Sequence, residues 1–202
     1  HMPMSSKEQI CVVGNGVDFQ NFIYKNTEKK YDLIFSGNMG YAPNIDAAEY
    51  LVKKLLPPLL QRYPNLRLIL CGTSPSIRIK ALQNEHVVVT GWVDDMSEWY
   101  AQSRVFIAPM RLGTGLQNKL LEAMAMQLPC VTSPLAAMPI KNAVDQHDII
   151  VCHKDTDYIE NVSRLLDDDD FYRLISQNGH QFVLENFSWE QATQTLVDLL
   201  ND

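Results

Sequence analysis

The sequence predicts an α/β fold, a parallel sheet with helices on both faces. Short apolar runs rich in Val, Ile and Leu alternate with longer amphipathic segments, and most of the short runs end at glycine or proline. No internal repeat and no low-complexity linker interrupts this alternation after residue 30. At 202 residues the chain has room for one well-buried domain or two small ones. The alternation divides it into an N-terminal linker or edge segment over 1–30, a domain over 31–185 and a C-terminal helix over 186–202.

The elements follow in order. Residues 9–13 form a first strand-like run, broken at Gly14-Asn15-Gly16, and the polar stretch 21–30 is a loop. Tyr31–Ser36 is the next strand, stopped by Gly37-Asn38-Met39-Gly40. Pro43-Asn44 opens a helix whose Ile45, Ala48, Leu51, Val52, Leu55 and Leu59 recur at helical spacing. A buried-type strand over 66–71 closes at Gly72-Thr73-Ser74-Pro75, and a short helix over 76–83 follows. Residues 86–90 form a β-branched strand ended by Gly91, after which Asp94 or Asp95 caps a helix carrying Met96, Trp99 and Tyr100. A strand over 105–108 stops at Pro109. A glycine loop, a helix over 118–127, a strand over 130–132 and a further strand over 149–152 come next. Helices over 155–166, 169–185 and 189–200 complete the chain. Ser188 and Gln191 approximate a capping box for the last, whose Ala192, Leu196, Leu199 and Leu200 share one face.

Composition excludes several functions. With 17 basic against 24 acidic residues the net charge is −7, and no cluster of lysine and arginine exceeds a pair, so there is no stripe for nucleic acid. No apolar run approaches the roughly 18 residues that would span a bilayer, and no signal peptide is evident; the expected location is cytoplasmic. Cys11, Cys71, Cys130 and Cys152 stand far apart in strand-like contexts and read as small buried hydrophobes in a reducing compartment. The histidines show no ligand spacing. The carboxylate run from Asp167 to Asp170 reads as a solvated cap. Trp92, Trp99 and Trp189 read as packing anchors, with Trp92 the exception worth testing as a base platform. A dinucleotide fingerprint fails, because Phe19 stands where the third glycine belongs after Gly14-Asn15-Gly16. A Walker loop fails because nothing of the Gly-Lys-Ser/Thr kind trails Gly113-Thr114-Gly115.

In parallel α/β sheets ligands gather at the carboxyl ends of the strands. The loops there are 37–41, 72–75, 91–95, 109–115 and 133–138. The most informative of them opens Gly113-Thr114-Gly115-Leu116-Gln117-Asn118-Lys119 and runs into Leu120-Leu121-Glu122-Ala123-Met124-Ala125. A glycine loop entering a helix presents open backbone N–H groups and the positive end of the dipole to an anion. Lys119 adds a cation, and Glu122 adds two acceptor oxygens suited to a pair of sugar hydroxyls. Lys119 and Glu122 also have a plain reading as an exposed pair on an amphipathic helix. An acid set among small apolar residues, between a glycine loop and a Pro-Cys-Val strand, favours a site instead.

From Val13 onward the chain resembles the donor-binding domain of GT-B glycosyltransferases, the large retaining group 1, or family 4, type. Asn15-Gly16-Val17-Asp18 resembles the signature that opens the family's second domain. Phe35-Ser36-Gly37 with Pro43-Asn44 resembles a subgroup version of the first phosphate-proximal loop. Gly91-Trp92-Val93 resembles the loop whose backbone faces the nucleobase, and Phe187-Ser188-Trp189 resembles the start of the terminal helix. The resemblance implies a Rossmann-like sheet, one half of a GT-B fold. It implies a nucleoside diphosphate sugar as donor substrate, bound by Gly37, Asn38, Gly72, Trp92, Val93, Thr114, Gly115, Leu116, Gln117, Asn118, Lys119 and Glu122.

Two departures qualify it. The family's first glutamate falls at Thr114, which removes a charge. The usual Arg and Lys after the first strand are replaced by Gly37-Asn38-Met39-Gly40-Tyr41, which leaves Lys119 as the candidate stabiliser of the leaving diphosphate. No Asp-x-Asp occurs among the donor loops, so no metal or other cofactor is expected. The resemblance further implies that an N-terminal acceptor-binding domain is missing, that the catalytic groups lie there, and that this fragment binds nucleotide without turning over. It points to cell-surface polysaccharide or glycolipid synthesis, with peripheral membrane association of the longer protein as one option. Two alternatives stay open, a stand-alone nucleotide-binding or regulatory module and a nucleotide-sugar epimerase.

Overall fold

A computed structural model describes residues 15–113, 115–189, 193 and 197. The first expected strand, Cys11, Thr114 and nearly all of the expected last helix lie outside these residues. Six parallel strands form one sheet in the order β3-β2-β1-β4-β5-β6: β1 Tyr31–Ser36, β2 Leu68–Cys71, β3 Val87–Val89, β4 Ser103–Ala108, β5 Cys130–Thr132 and β6 Ile150–Val151. In the central register Leu33 faces Leu68 on one side and Val105 on the other. Every residue of β2 and of β5 is buried, so both faces of the sheet are covered and these strands need no polar alternation. This is the doubly wound order, with its reversal between β1 and β4.

The helices are α1 Ala42–Tyr50, α2 Leu56–Arg62, α3 Ile77–Lys80, α4 Met96–Ala101, α5 Asn118–Ala125, α6 Pro134–Ala137, α7 Asp155–Asp167 and α8 Asp169–Asn186. The single helix expected after Pro43 is broken. Residues Leu51–Leu55 form a π-turn between α1 and α2, closed by Leu56 N–H to the Leu51 carbonyl. Pro57 and Pro58 cause it: neither donates an N–H, and their rings exclude an α-helical carbonyl one turn back. Leu51, Leu55, Leu56 and Leu59 stay buried across the break, so the apolar stripe survives.

Other boundaries moved by a few residues. The strand expected from 66 starts at Leu68, because the Leu66 N–H turns back to the Tyr63 carbonyl at 3.0 Å. The helix expected over 76–83 ends at Lys80, and its Ser76 cap accepts from the Ile79 N–H. Asp95 caps α4 by accepting from the Ser97 N–H, which resolves the choice between Asp94 and Asp95. Asp168 caps α8, as the carboxylate run suggested, while Asp167 accepts from Arg62 and Tyr63. Cys71, Cys130 and Cys152 are buried and free. Val17 is buried, and its N–H donates to the Phe187 carbonyl at 2.8 Å, so the N-terminal segment is fastened beside the end of α8.

Candidate functional site

The site is built around the reversal between β1 and β4. Gly37 leaves β1 with φ +147°, and Gly72 leaves β2 with φ +145°. A Cβ on Gly72 would stand 1.8 Å from the Gly37 carbonyl oxygen, so these loops approach this closely only because residue 72 is glycine. Met39 N–H donates to the Thr73 carbonyl at 2.8 Å, locking the pair together. On the other side, Ser133 Oγ donates to the Met110 carbonyl at 2.6 Å and ties the loop after β4 to the start of α6. Four of the five expected loops thus form one edge around the ends of β1 and β4, and the loop after β3 flanks them.

Helix α5 starts at this edge. Its N-cap residue Gln117 makes no side-chain cap; its amide instead donates to the Gly115 carbonyl at 3.2 Å. The open first-turn N–H groups keep their anion-binding capacity. Leu116 is partly buried and packs on the core. Asn118 is exposed, and its Oδ1 accepts from Asn15 at 3.3 Å.

Lys119 and Glu122 are not a solvated pair. Lys119 Nζ donates to Asn44 Oδ1 at 2.6 Å, lies 4.6 Å from the Phe35 ring centroid, and stands 3.4 Å from where a Gly37 Cβ would be. Burial pushes its pKa down to about 8, opposed by the nearby Glu122 charge. Burial pushes the Glu122 carboxyl above its ordinary range, opposed by the hydroxyl of Tyr100, which donates to Oε2 at 3.1 Å, and by the Lys119 charge. Both groups are therefore held partly desolvated, where a charged ligand would be felt strongly.

Two clefts complete the arrangement. One of about 630 Å³ is lined by Gly72, Thr73, Trp92, Val93, Asp94, Asp95 and Met96 from the loops after β2 and β3, together with Asp18, Asn21 and Phe22. The other, about 220 Å³, holds Glu122, Asn118 and Leu121 with Gly16, Val17, Asp18, Phe22 and Trp189. Asp18 and Phe22 line both, so the segment that follows Asn15 forms their common wall. Trp92 is not a packing anchor: it is 74% exposed at the larger cleft, with Nε1 donating to Asp94 Oδ1 at 3.3 Å. Trp99 does pack, against Tyr31, and Trp189 lies so close to Gly16 that a Cβ there would meet its ring at 2.7 Å.

Of the expected site residues, Gly72, Trp92 and Val93 share the larger cleft, and Asn118 and Glu122 share the smaller. Gly37 and Lys119 stand together behind them. Asn38 shapes the loop beside Gly37, its Oδ1 accepting from the Gly40 N–H at 2.9 Å. Gly115, Leu116 and Gln117 line neither cleft. Sequence reasoning missed the roles of Asn44, Tyr100 and Ser36. Asn44 belongs to the stretch that resembles the first phosphate-proximal loop, but its bond to Lys119 crosses 75 residues of chain. Tyr100 looked like one more apolar position of an amphipathic helix.

Comparison with known proteins gives the family and the fold. The profile of the family described as "Glycosyl transferases group 1" matches residues 30–168, more than half of the chain. The capsular polysaccharide biosynthesis glycosyltransferase CapM of Staphylococcus aureus is 25% identical over 216 residues, covering 98% of this chain and 57% of CapM. Anabaena HepE, solved in complex with UDP and glucose, superposes with a TM-score of 0.77 at 14% identity, over 95% of this chain and 56% of HepE. The C-terminal domain of LpcC, a glycosyl transferase group 1 family protein from Francisella tularensis, superposes with a TM-score of 0.67 at 19% identity, over 86% of this chain and all of that domain. This chain therefore spans a little over half the length of CapM and of HepE. No helix among the described residues is long and apolar enough to cross a membrane. The chain belongs to the glycosyl transferases group 1 family.

Proposed function

We propose that this chain is the donor-binding half of a retaining glycosyltransferase that moves a sugar from a nucleoside diphosphate sugar to an acceptor, in the synthesis of a cell-surface polysaccharide or glycolipid. The carrying observation is the placement of Lys119 beside Gly37 at the open start of α5, one turn before Glu122, whose cleft shares Asp18 and Phe22 with the cleft of Trp92 and Val93. The diphosphate would lie at the α5 N-terminus and Lys119, the ribose hydroxyls against Glu122, and the base beside Val93 under Trp92. As the bond to the sugar breaks, charge grows on the departing diphosphate, and an ammonium with open N–H groups around it stabilises that charge. Lys119 and these N–H groups are expected to suffice without a metal, so a chelator should leave nucleotide affinity unchanged. The acceptor-binding groups would belong to an N-terminal domain outside these 202 residues. CapM's name and the UDP bound to HepE support the substrate class. Three buried free cysteines suit a reducing compartment, which supports a cytoplasmic location.

Titration calorimetry of this chain and its Glu122→Ala variant with UDP and GDP tests the reading. One of the two diphosphates should bind the parent, and the variant should lose about tenfold or more in affinity. Equal binding by both proteins would remove the ribose role of Glu122.

A further inference from the structure

A buried cation ordinarily faces a carboxylate. Lys119 does not. Its Nζ has two polar contacts, Asn44 Oδ1 at 2.6 Å and Met110 Sδ at 3.8 Å, and both are neutral. None of the ion pairs among the described residues includes it. Arg111 provides the contrast, because it lies on the loop that leads into α5 and meets the same helix, α1. Asp46, two residues beyond Asn44 on α1, accepts from Arg111 at 3.0 and 2.6 Å and cancels its charge. Helix α1 thus offers a carboxylate to the outer cation and an amide to the inner one.

Both ends of the amide are engaged. While Oδ1 accepts from Lys119, Nδ2 donates to the Asn38 carbonyl at 2.9 Å, and the side chain is almost completely buried. The same Nδ2 would stand 2.8 Å from a Cβ on Gly37. One side chain therefore holds the cation against the glycine loop and fixes the loop that borders it.

We propose that Asn44 is a positioning residue for anion recognition: its neutral amide holds the Lys119 ammonium beside Gly37 without cancelling its charge, so that the diphosphate of a nucleotide becomes the counter-ion. This rests on the reading of Lys119 as the phosphate-facing cation given above. An aspartate at this position keeps the acceptor and nearly the same shape, yet supplies an internal counter-ion that competes with the ligand.

The test compares Asn44→Asp, Asn44→Ala and Lys119→Met in the 202-residue chain, with UDP, GDP and inorganic pyrophosphate as probes. Asn44→Asp should weaken diphosphate and pyrophosphate binding by about tenfold or more, and more than Asn44→Ala, which loses the same bond to Asn38 without adding charge. The pH dependence of diphosphate affinity is a second readout, available from either variant. The midpoint at which affinity falls as Lys119 deprotonates should move up in Asn44→Asp and down in Asn44→Ala, with Glu122 the other charge acting on the ammonium in all of them. An aspartate variant that binds as well as the parent, an alanine variant as impaired as the aspartate one, or an unmoved midpoint would overturn the role of Asn44. Undiminished binding by Lys119→Met, or a parent that binds no probe, would overturn the phosphate-facing role of Lys119 and the inference with it.

Discussion

The Tyr100 hydroxyl donates to Glu122 Oε2 at 3.1 Å and shares a 2.8 Å hydrogen bond with Ser36 Oγ. A phenol carries one proton, so with that proton directed at Glu122 the Ser36 hydroxyl must donate to the Tyr100 oxygen. The ring is fully buried against Phe22 and Phe106. Through it the last residue of β1, the helix α4 and the carboxylate of α5 are held in one line. Burial and the neighbouring Glu122 charge push the Tyr100 pKa well above its ordinary value, so it stays a donor at any physiological pH.

Replacing Tyr100 with phenylalanine should therefore release the Glu122 carboxylate and leave the buried Ser36 hydroxyl without this partner. We expect a loss of about 1–2 kcal/mol in stability. UDP or GDP affinity should fall severalfold, whereas pyrophosphate, which has no ribose, should bind as before. Calorimetry with both probes distinguishes this from a general loosening of the fold, which would weaken both.

The ligand-free chain should gain thermal stability from the substitutions that disable it. Lys119 has a lowered pKa, so between about 8 and its ordinary value near 10.5 the unfolded chain binds more protons than the folded one. Stability from this group consequently rises with pH across that window. Glu122 has a raised pKa, so its folded form prefers to be protonated, and its contribution is lost as pH rises through the folded value. Charging either group inside the fold therefore carries a cost, and at pH 7 Lys119 bears it. Lys119→Met should raise the melting temperature at pH 7 and abolish the rise above pH 8, and Glu122→Gln should raise it at pH 7. Scanning calorimetry at pH 5, 7 and 9 checks the signs, and a lower melting temperature in both variants would contradict them.

Gly72→Ala should be among the most damaging single substitutions in the described chain. The new Cβ meets the Gly37 carbonyl at 1.8 Å in a backbone conformation that already disfavours side chains. A cost of a few kcal/mol is expected. Gly91→Ala provides the comparison, since φ there is +113° but no atom lies within 4 Å of the added carbon. Denaturant titration should rank Gly72→Ala clearly below Gly91→Ala.

Arg111 anchors the loop before α5 from outside, paired with Asp46 and lying 4.3 Å from the Tyr50 ring centroid. Arg111→Ala should cost about 0.5–1.5 kcal/mol, because the pair is half-exposed and screened. The clearer readout is amide exchange, which should quicken around residues 110–113 while the strand Ser103–Ala108 keeps its protection.

Much of the architecture could be read from residue order. Strand and helix differ in period, and glycine and proline punctuate them, so six of the expected strands and most helices are found within a few residues of their expected places. These are local properties, carried by side chains whose neighbours in sequence are also their neighbours in space. The π-turn shows the limit: apolar spacing carried a single helix through Pro57 and Pro58, and only the packed structure shows the chain re-threaded there with the buried leucines on both sides kept on one stripe.

The site divides in the same way. Gly113-Thr114-Gly115 before a helix, with Lys119 and Glu122 one turn apart, reads as a candidate anion site, because open N–H groups and their charge partners lie within one short stretch of chain. That Lys119 is buried against a neutral amide, that Tyr100 aims Glu122, and that Trp92 stands in solvent beside the larger cleft came from folding. Each depends on residues brought together from distant segments, across 75 positions for Asn44 and Lys119 and 22 for Tyr100 and Glu122. Burial and partnership set a side chain's charge state and aim, and residue order alone does not contain them.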